Sequence, residues 1–167
     1  MKTFQKSGLI QFTLTALLIS GISCTDDDDD MNGAPTDADG NVYTTITIGD
    51  QEWLGKNLKT TSLNDGTPVP EVTDIVEWSD LETSGLSWYE NDETRYKDVY
   101  GALYNWYTVD TRKLCPAGWH VPTADEWETL HDYLGDSVAS KLKEVGNTHW
   151  SMQNNDAINS TGFTALP

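Results

Sequence analysis

The first strong pattern in the chain is an alternation of apolar and polar residues over VYTTITI, residues 42–48. One face of this segment carries Val42, Thr44, Ile46 and Ile48. A period of two residues is typical of a β-strand. Gly49-Asp50 follows as a hairpin turn, and QEWLGKNL predicts the returning strand. The folded part of the chain is therefore expected to open with a β-hairpin.

A period close to that of an α-helix appears in RYKDVYGALYNWYTVDT. The apolar residues that recur at helical spacing are Val99, Leu103, Trp106 and Tyr107. Asp98 has the side chain that best caps free amides at a helix start. The spacing therefore predicts one helix over residues 99–108.

The segment GWHVPTADEWETL, residues 118–130, predicts a well-defined helix start. Thr123 and Glu126 have the spacing of a capping box, in which each side chain hydrogen-bonds the other residue's amide. The helix then places one stripe inward, formed by Trp127, Leu130 and Leu134, and Gly135 ends it. These roles make the segment a helix entrance rather than a catalytic centre. SVASKLKEV predicts another short helix, with an inward face of Val138, Leu142 and Val145.

Residues 62–94 show little periodicity and are punctuated by prolines and glycines. A stretch of this length in a compact domain is usually functional surface or a set of ordered loops. It carries three aromatic residues that are candidate ligand contacts, Trp78, Trp88 and Tyr89. Their rings either stack on sugar rings or are buried in the core, and the sequence leaves both interpretations open.

Residues 1–23 have the features of a lipoprotein signal peptide. Lys2 and Lys6 precede an apolar stretch that is too short and too interrupted for a comfortable membrane span. Ser23-Cys24 at its end resembles a bacterial lipobox. We expect cleavage before Cys24 and acylation of its thiol, which would anchor the protein to a membrane. The alternative is an ordinary secretory signal whose cysteine is incidental.

Residues 24–36 are then an acidic tether, with a run of five aspartates, Asp26, Asp27, Asp28, Asp29 and Asp30. Such a run is typical of a solvated linker. Its position also resembles the acidic export tag of Bacteroidetes lipoproteins that reach the outer face of the outer membrane. The whole chain has 27 acidic and 10 basic residues, a formal charge of −17. Phosphate binding needs a basic surface, so nucleic acid is excluded as an expected partner.

Few residues suggest chemistry. The histidines, His120, His131 and His149, lack the spacing of a zinc site. Asp37-x-Asp39-Gly40 resembles the start of a calcium loop, but the twelfth position counted from Asp37 is Ile48, which favours a turn whose carboxylates cap local amides. No metal, cofactor or catalytic residue is assigned. Cys115 lacks a CxxC companion and is an odd cysteine, which suggests a missing disulfide partner.

Several segments together resemble the Fibrobacter succinogenes major paralogous domain, a family frequent in lipoproteins of Bacteroidetes and Fibrobacter relatives. Between about residue 39 and residue 167 they are DGNVYTTITIGDQEWLGKNLKTT, DGTPV, YGALYNWYTVDTRKLCPAGWHVPTADEWETL, KLKEVGNTHW and STGFTALP. WHVPTADEW is also similar to a segment of the formylglycine-generating and sulfatase-modifying-factor group. This second likeness implies a C-type-lectin-like α+β fold with a small twisted sheet, two to three short helices and long ordered loops.

The resemblance also implies that the domain, residues 37–167, is the N-terminal portion of a larger unit. Members of the family continue past the GFTALP-like segment and end in a strand that bears a cysteine. A partner for Cys115 is therefore expected beyond Pro167. The reactive cysteines of the formylglycine-generating enzymes belong to their C-terminal part, so no catalytic residue is carried over to this chain.

These observations predict a lipoprotein of the outer membrane, exposed at the cell surface, with a non-catalytic domain for binding or adhesion. The expected ligand is a polysaccharide or another cell-surface component, and no cofactor is implied. One alternative is a structural subunit of a surface assembly, whose partners are other surface proteins. A less favoured alternative is an enzyme related to the sulfatase-modifying-factor group.

Overall fold

The computed structural model describes residues 5–6, 33–150 and 154–167 of the chain. Its strands are β1 (Gln5–Lys6), β2 (Thr45–Ile48), β3 (Gln51–Leu54), β4 (Leu86–Ser87) and β5 (Leu103–Tyr104). Its α-helices are α1 (Ile75–Asp80), α2 (Glu93–Tyr100), α3 (Trp106–Asp110), α4 (Ala124–Leu134) and α5 (Val138–Leu142). The described part of the chain is thus a mixed α and β structure with two small antiparallel sheets and five helices, more helices than the two to three expected.

The predicted β-hairpin is confirmed as β2 and β3, which pair from Thr45 with Leu54 to Ile48 with Gln51. The expected inward face holds only within β2, where Ile48 is buried and Ile46 packs against the core. Before the strand the alternation of buried and exposed side chains is the reverse of the prediction: Val42 is exposed and Tyr43 is buried. The phenol of Tyr43 donates a 2.6 Å hydrogen bond to the Asp37 carboxylate, which holds this ring inward.

β1 completes the first sheet, whose strand order is β1-β3-β2. It pairs antiparallel with β3, with Gln5 opposite Trp53 and Lys6 opposite Glu52. β1 lies inside residues 1–23, the segment that the sequence assigns to a signal peptide. Cleavage at the expected position would therefore remove this strand from the sheet.

Two clusters of buried side chains form the core of the part of the chain that the structure describes. The larger contains Tyr43, Leu54, Leu58, Leu63, Val69, Leu86, Trp88, Ala102, Tyr104, Leu114, Cys115 and Trp119. The second contains Ile48, Trp53, Leu130, Leu134, Phe163 and Ala165. β3 serves both, because Leu54 belongs to the first cluster and Trp53 to the second. The C-terminal segment is thereby packed against the hairpin and α4.

The single helix expected over residues 99–108 is wrong. The structure has α2 up to Tyr100, then β5, then α3. Asp92 rather than Asp98 caps α2, because its carboxylate accepts from the amide of Arg95. Gly101 ends that helix with φ 67° and ψ −164°, a conformation that favours glycine. α3 then needs its own cap, which Asn105 provides by accepting from the amide of Thr108.

The predicted entrance of α4 is confirmed. The Thr123 hydroxyl accepts from the Glu126 amide, and the Glu126 carboxylate accepts from the Thr123 amide at 2.8 Å. Gly135 ends the helix, and its inward stripe buries Leu130 and Leu134. The second short helix is also present as α5, but Val145 is exposed rather than inward. The helix ends at Leu142, and the chain beyond it runs extended beside Ala165.

The irregular stretch over residues 62–94 is a set of ordered loops that carry α1, β4 and a tight turn. Isolated bridges pair Ser62 with Pro68 and Glu71 with Leu86. α1 was not expected from the sequence. Asp74 caps it by accepting from the amides of Val76 and Glu77, and the helix has no buried residue. None of the helices in the described residues is long and apolar enough to cross a membrane.

Candidate binding cleft between α3 and α4

The structure separates the three aromatic residues that the sequence offers as ligand contacts. Trp88 is 2% exposed and belongs to the larger core cluster, so its interpretation as a ligand contact is wrong. Trp78 is partly buried and lines a small cavity of about 200 Å³ beside α1. Tyr89 is exposed. The three rings therefore do not form one site.

Tyr89 belongs to a cluster of tyrosines on the surface of α2. Its ring centroid lies 5.0 Å from that of Tyr96 and 5.2 Å from that of Tyr100, with steep interplanar angles. The Tyr96 hydroxyl donates a 2.7 Å hydrogen bond to Glu90. Edge-to-face contacts of this kind stabilise rings against each other and leave no flat platform for a ligand. The ring of Tyr89 thus packs against the rings of Tyr96 and Tyr100.

A larger cleft, of about 640 Å³, lies between α3 and the loop that enters α4. Its volume is within the range of about 300–1,000 Å³ that is typical of ligand pockets. The polar residues of its wall include Asp110, Arg112, His120 and Thr123, and the apolar ones include Trp106, Val109, Leu114, Val121 and Pro122. A mostly apolar wall with a few placed polar groups is the usual composition of a binding site.

Trp106 is the exposed aromatic residue of this cleft, with 69% of its surface accessible. The sequence analysis grouped it with apolar residues that recur at the spacing of one helix over residues 99–108, and that helix is absent. Asn105, directly before it, binds three groups: its side chain accepts from the Thr108 and Gly85 amides and donates to the Thr83 carbonyl. The backbone under Trp106 is therefore fixed while its ring faces solvent.

Arg112 follows the end of α3 and also lines the cleft. Its backbone is left-handed, with φ 59°, and its amide donates to the Val109 carbonyl at 3.1 Å. Its guanidinium makes no hydrogen bond, ion pair or ring contact with the residues that the structure describes. Four other cations of this part of the chain pair with carboxylates: Lys59, Lys97, Lys113 and Lys143.

His120 lines the α4 side of the cleft and contacts Glu126. The Nε2 atom of His120 lies 2.8 and 2.9 Å from the two carboxylate oxygens of Glu126. Partial burial opposes ionisation of this carboxyl, but hydrogen bonds from Thr123 and His120 outweigh it, so the pKa of Glu126 lies below its ordinary value. One carboxylate thus caps α4 and orients the imidazole of the cleft.

We expect Glu126→Gln to remove a pH dependence of stability. A carboxyl whose pKa is lowered by folding stabilises the protein above its unfolded pKa of about 4.3, and this stabilisation is lost as the pH falls through the folded pKa. At pH 7 the variant should be less stable by about 1 kcal/mol, the usual contribution of a cap. Urea denaturation at pH 7, 5, 4 and 3 measures the difference.

The gap between the two proteins should close toward pH 3, since glutamine keeps an oxygen that accepts from the Thr123 amide but cannot titrate. Glu128→Gln is the matched control, because this glutamate is an exposed carboxyl on the same helix and lies outside the cap. A Glu126→Gln gap that stays constant from pH 7 to pH 3 would contradict the assignment.

Cys115 lies at the back of the cleft and is 3% exposed. Burial raises the pKa of its thiol far above the ordinary value, so the thiol is neutral and a poor nucleophile. It is a free cysteine in the described residues. A disulfide to a residue beyond Pro167 stays a prediction.

The segment Asp37-x-Asp39-Gly40, which resembles the start of a calcium loop, has carboxylates that accept hydrogen bonds from nearby groups. Asp37 accepts from the amides of Asp39 and Asn41, and Asp39 accepts from Thr61. The interpretation as a capping turn is confirmed. In the ranges that the structure describes, no three side chains of His, Cys, Asp or Glu come together as a metal site. Cys24 and the aspartates of residues 26–30 lie outside these ranges.

Comparison with protein families gives one match: the family described as the Fibrobacter succinogenes major domain matches residues 46–167. Comparison with curated proteins gives no match, and neither does comparison with solved structures. The matched segment covers well over half of the 167 residues. The chain therefore belongs to the Fibrobacter succinogenes major domain family.

Proposed function

We propose that this protein is a lipoprotein of the outer cell surface whose domain binds a polysaccharide, without catalysis, in the cleft between α3 and α4. The observation that carries the proposal is the exposed ring of Trp106, on a fixed backbone, at the edge of a cleft with several hydrogen-bonding side chains. We further propose that the domain has the C-type-lectin-like fold that the likeness of WHVPTADEW implies.

The chemistry of the cleft supports a saccharide ligand. A sugar ring has an apolar face of C–H groups, which packs on an indole, and hydroxyl groups at its edge, which need donors and acceptors. Trp106 provides the ring surface, while Asp110 and Thr123 provide oxygen acceptors near it. Large aromatic side chains in monomeric proteins are mostly buried, so a tryptophan left exposed beside a cleft favours a ligand contact.

Trp106→Ala is expected to weaken polysaccharide binding by about 5- to 150-fold, because stacking on an aromatic ring contributes roughly 1–3 kcal/mol. The stability of the variant should stay within about 0.5 kcal/mol of the parent, since the ring is exposed. A glycan array selects the polysaccharide that the protein retains. Isothermal titration with an oligomer of that polysaccharide then measures the affinity.

Tyr133→Ala is the matched control for this substitution. Tyr133 is also an exposed aromatic residue, but it lies on α4 beside Gly49 and outside the cleft. Its removal should leave the affinity unchanged. Equal losses for both variants would show non-specific adsorption to aromatic surface, and retention of no glycan by the parent would overturn the proposed function.

The location of the protein has a separate test. Cys24→Ser should abolish incorporation of labelled fatty acid and release the protein from the membrane fraction. Replacement of Asp26–Asp30 by alanine should leave the lipid in place but protect the protein from protease added to intact cells. Lipid labelling of the Cys24→Ser variant would contradict the anchor, and unchanged protease access in the aspartate variant would contradict the export tag.

A further inference from the structure

We propose that the ligand of the α3–α4 cleft is an acidic saccharide and that the Arg112 guanidinium receives its anionic group. This inference rests on the proposed function and adds the chemical class of the ligand. Its evidence is the unpaired guanidinium in the cleft, whereas the evidence for a saccharide is the exposed ring of Trp106.

The pairing of the other cations makes Arg112 unusual. Residues 33–167 contain six lysines and two arginines, and carboxylates outnumber them widely. Lys59, Lys97, Lys113 and Lys143 bind carboxylates, Lys141 donates to the Leu134 carbonyl, and Arg95 lies over the ring of Tyr96. In the described residues the charged groups of Arg112 and Lys56 have no such partner. Each of these two lines a different cleft.

The position of Arg112 directs its charge toward the same ligand as Trp106. Trp106 is the first residue of α3 and Arg112 follows its end, and the helix has five residues and is therefore about 7–8 Å long. The chain after α3 is held by the Thr111 hydroxyl, which donates to the Thr108 carbonyl at 2.7 Å. A ring stacked on Trp106 thus has the guanidinium within reach of a substituent on it or on the next ring.

The other ionisable side chains of the cleft, Asp110 and His120, indicate whether the ligand carries many negative charges or one. Asp110 lines the cleft but forms no ion pair with Arg112, and the imidazole of His120 is engaged by Glu126. One free cation beside one carboxylate does not suit a dense polyanion, which would meet Asp110. It suits a ring with one carboxylate or sulfate ester, whose hydroxyls donate to Asp110. A guanidinium binds a planar carboxylate with two parallel hydrogen bonds, which a lysine cannot reproduce.

The test uses three probes in isothermal titration: an oligosaccharide with a single uronic acid ring (one glucuronate on two xylose rings), its neutral methyl ester, and a galactan oligomer with a single sulfate ester. The parent protein should bind an acidic probe at least about ten-fold more tightly than the ester, since hydrogen bonds to a charged group contribute strongly. Arg112→Gln should remove this preference and keep the affinity for the ester. Arg112→Lys should restore only a small part of it. The carboxylate and sulfate probes distinguish the two sources of negative charge.

Lys56→Gln is the matched control, because this lysine also makes no hydrogen bond or ion pair with the described residues but lines another cleft. Its preference for the acidic probe should equal that of the parent. The inference would be overturned if the parent bound the ester and the acid equally, or if Lys56→Gln lost the preference as Arg112→Gln does. In either case, binding to the ester would still support the proposed function. Failure of the parent to bind any of these probes, together with retention of no glycan on the array, would overturn both.

Discussion

Replacing Trp53 with alanine is expected to lower the free energy of unfolding by about 3–5 kcal/mol, the usual cost of removing a buried tryptophan. The ring is 0% exposed and belongs to the second core cluster. Its centroid lies 4.8 Å from that of Trp127 and 5.7 Å from that of Phe163. One side chain thus joins the hairpin, α4 and the C-terminal segment. Since domains are stable by only about 5–15 kcal/mol, this loss is a large fraction of the total.

Urea denaturation followed by circular dichroism measures the loss without relying on the fluorescence of the residue removed. Trp53→Phe should cost less than half as much, because it keeps an aromatic ring and removes an indole nitrogen that has no hydrogen-bond partner in the described residues. Trp106→Ala removes the same side chain from an exposed position and should change stability little. Equal unfolding midpoints for Trp53→Ala and Trp106→Ala would contradict the packing of β3 on α4.

The parts of the fold that the sequence predicted are those in which all the determining residues are close together in the chain. The hairpin needs only two short strands and the Gly49-Asp50 turn. The entrance of α4 needs only Thr123 and Glu126, three residues apart, and a proline before them. Hydrogen bonds between residues that are close in sequence fix both features, so they depend little on what packs against them.

The candidate cleft depends on contacts between distant residues and was missed for that reason. The sequence pattern predicted one helix over residues 99–108 and grouped Trp106 with its apolar residues, so it did not single out Trp106 as exposed. The carboxylates that neutralise Lys59 and Lys113 are Asp98 and Asp65, 39 and 48 residues away. The sequence alone does not show which carboxylate each lysine contacts, so it does not identify Arg112 as a cation without a partner. A usable local signal was Asn105, whose capping role separates Trp106 from the preceding segment.

The neighbours Trp88 and Tyr89 show the same limit on a smaller scale. The backbone at Trp88 is extended, with φ −105° and ψ 153°, so consecutive side chains point to opposite sides. Trp88 is buried, and Tyr89 is on the surface. Which of the two is inside depends on the β4–β5 pairing of Leu86 with Tyr104, a contact that spans eighteen residues of sequence. Composition alone treats the two rings alike.

Replacing Gly101 with alanine is expected to destabilise the protein by at least about 3 kcal/mol. Its φ of 67° with ψ of −164° is a region that only glycine adopts at low cost, and strain there is about 1–3 kcal/mol for other residues. A β-carbon would also overlap the Leu58 carbonyl oxygen and lie 2.8 Å from the β-carbon of Asn57. That carbonyl accepts from the Ala102 amide, so moving it disturbs a hydrogen bond of roughly 1 kcal/mol.

Gly118→Ala separates the two contributions, because Gly118 has φ 82° but no atom within 4 Å of an added β-carbon. Its free energy of unfolding should fall only by the cost of the left-handed conformation, about 1–2 kcal/mol. The excess loss of Gly101→Ala in urea denaturation then measures the close approach of the α2–β5 junction to Leu58. Equal losses would contradict that approach. Gly101 ends α2 and therefore also affects where β5 and α3 begin. The folded fraction of Gly101→Ala should bind the ligand of the α3–α4 cleft more weakly than the parent. Gly118→Ala should bind it as the parent does.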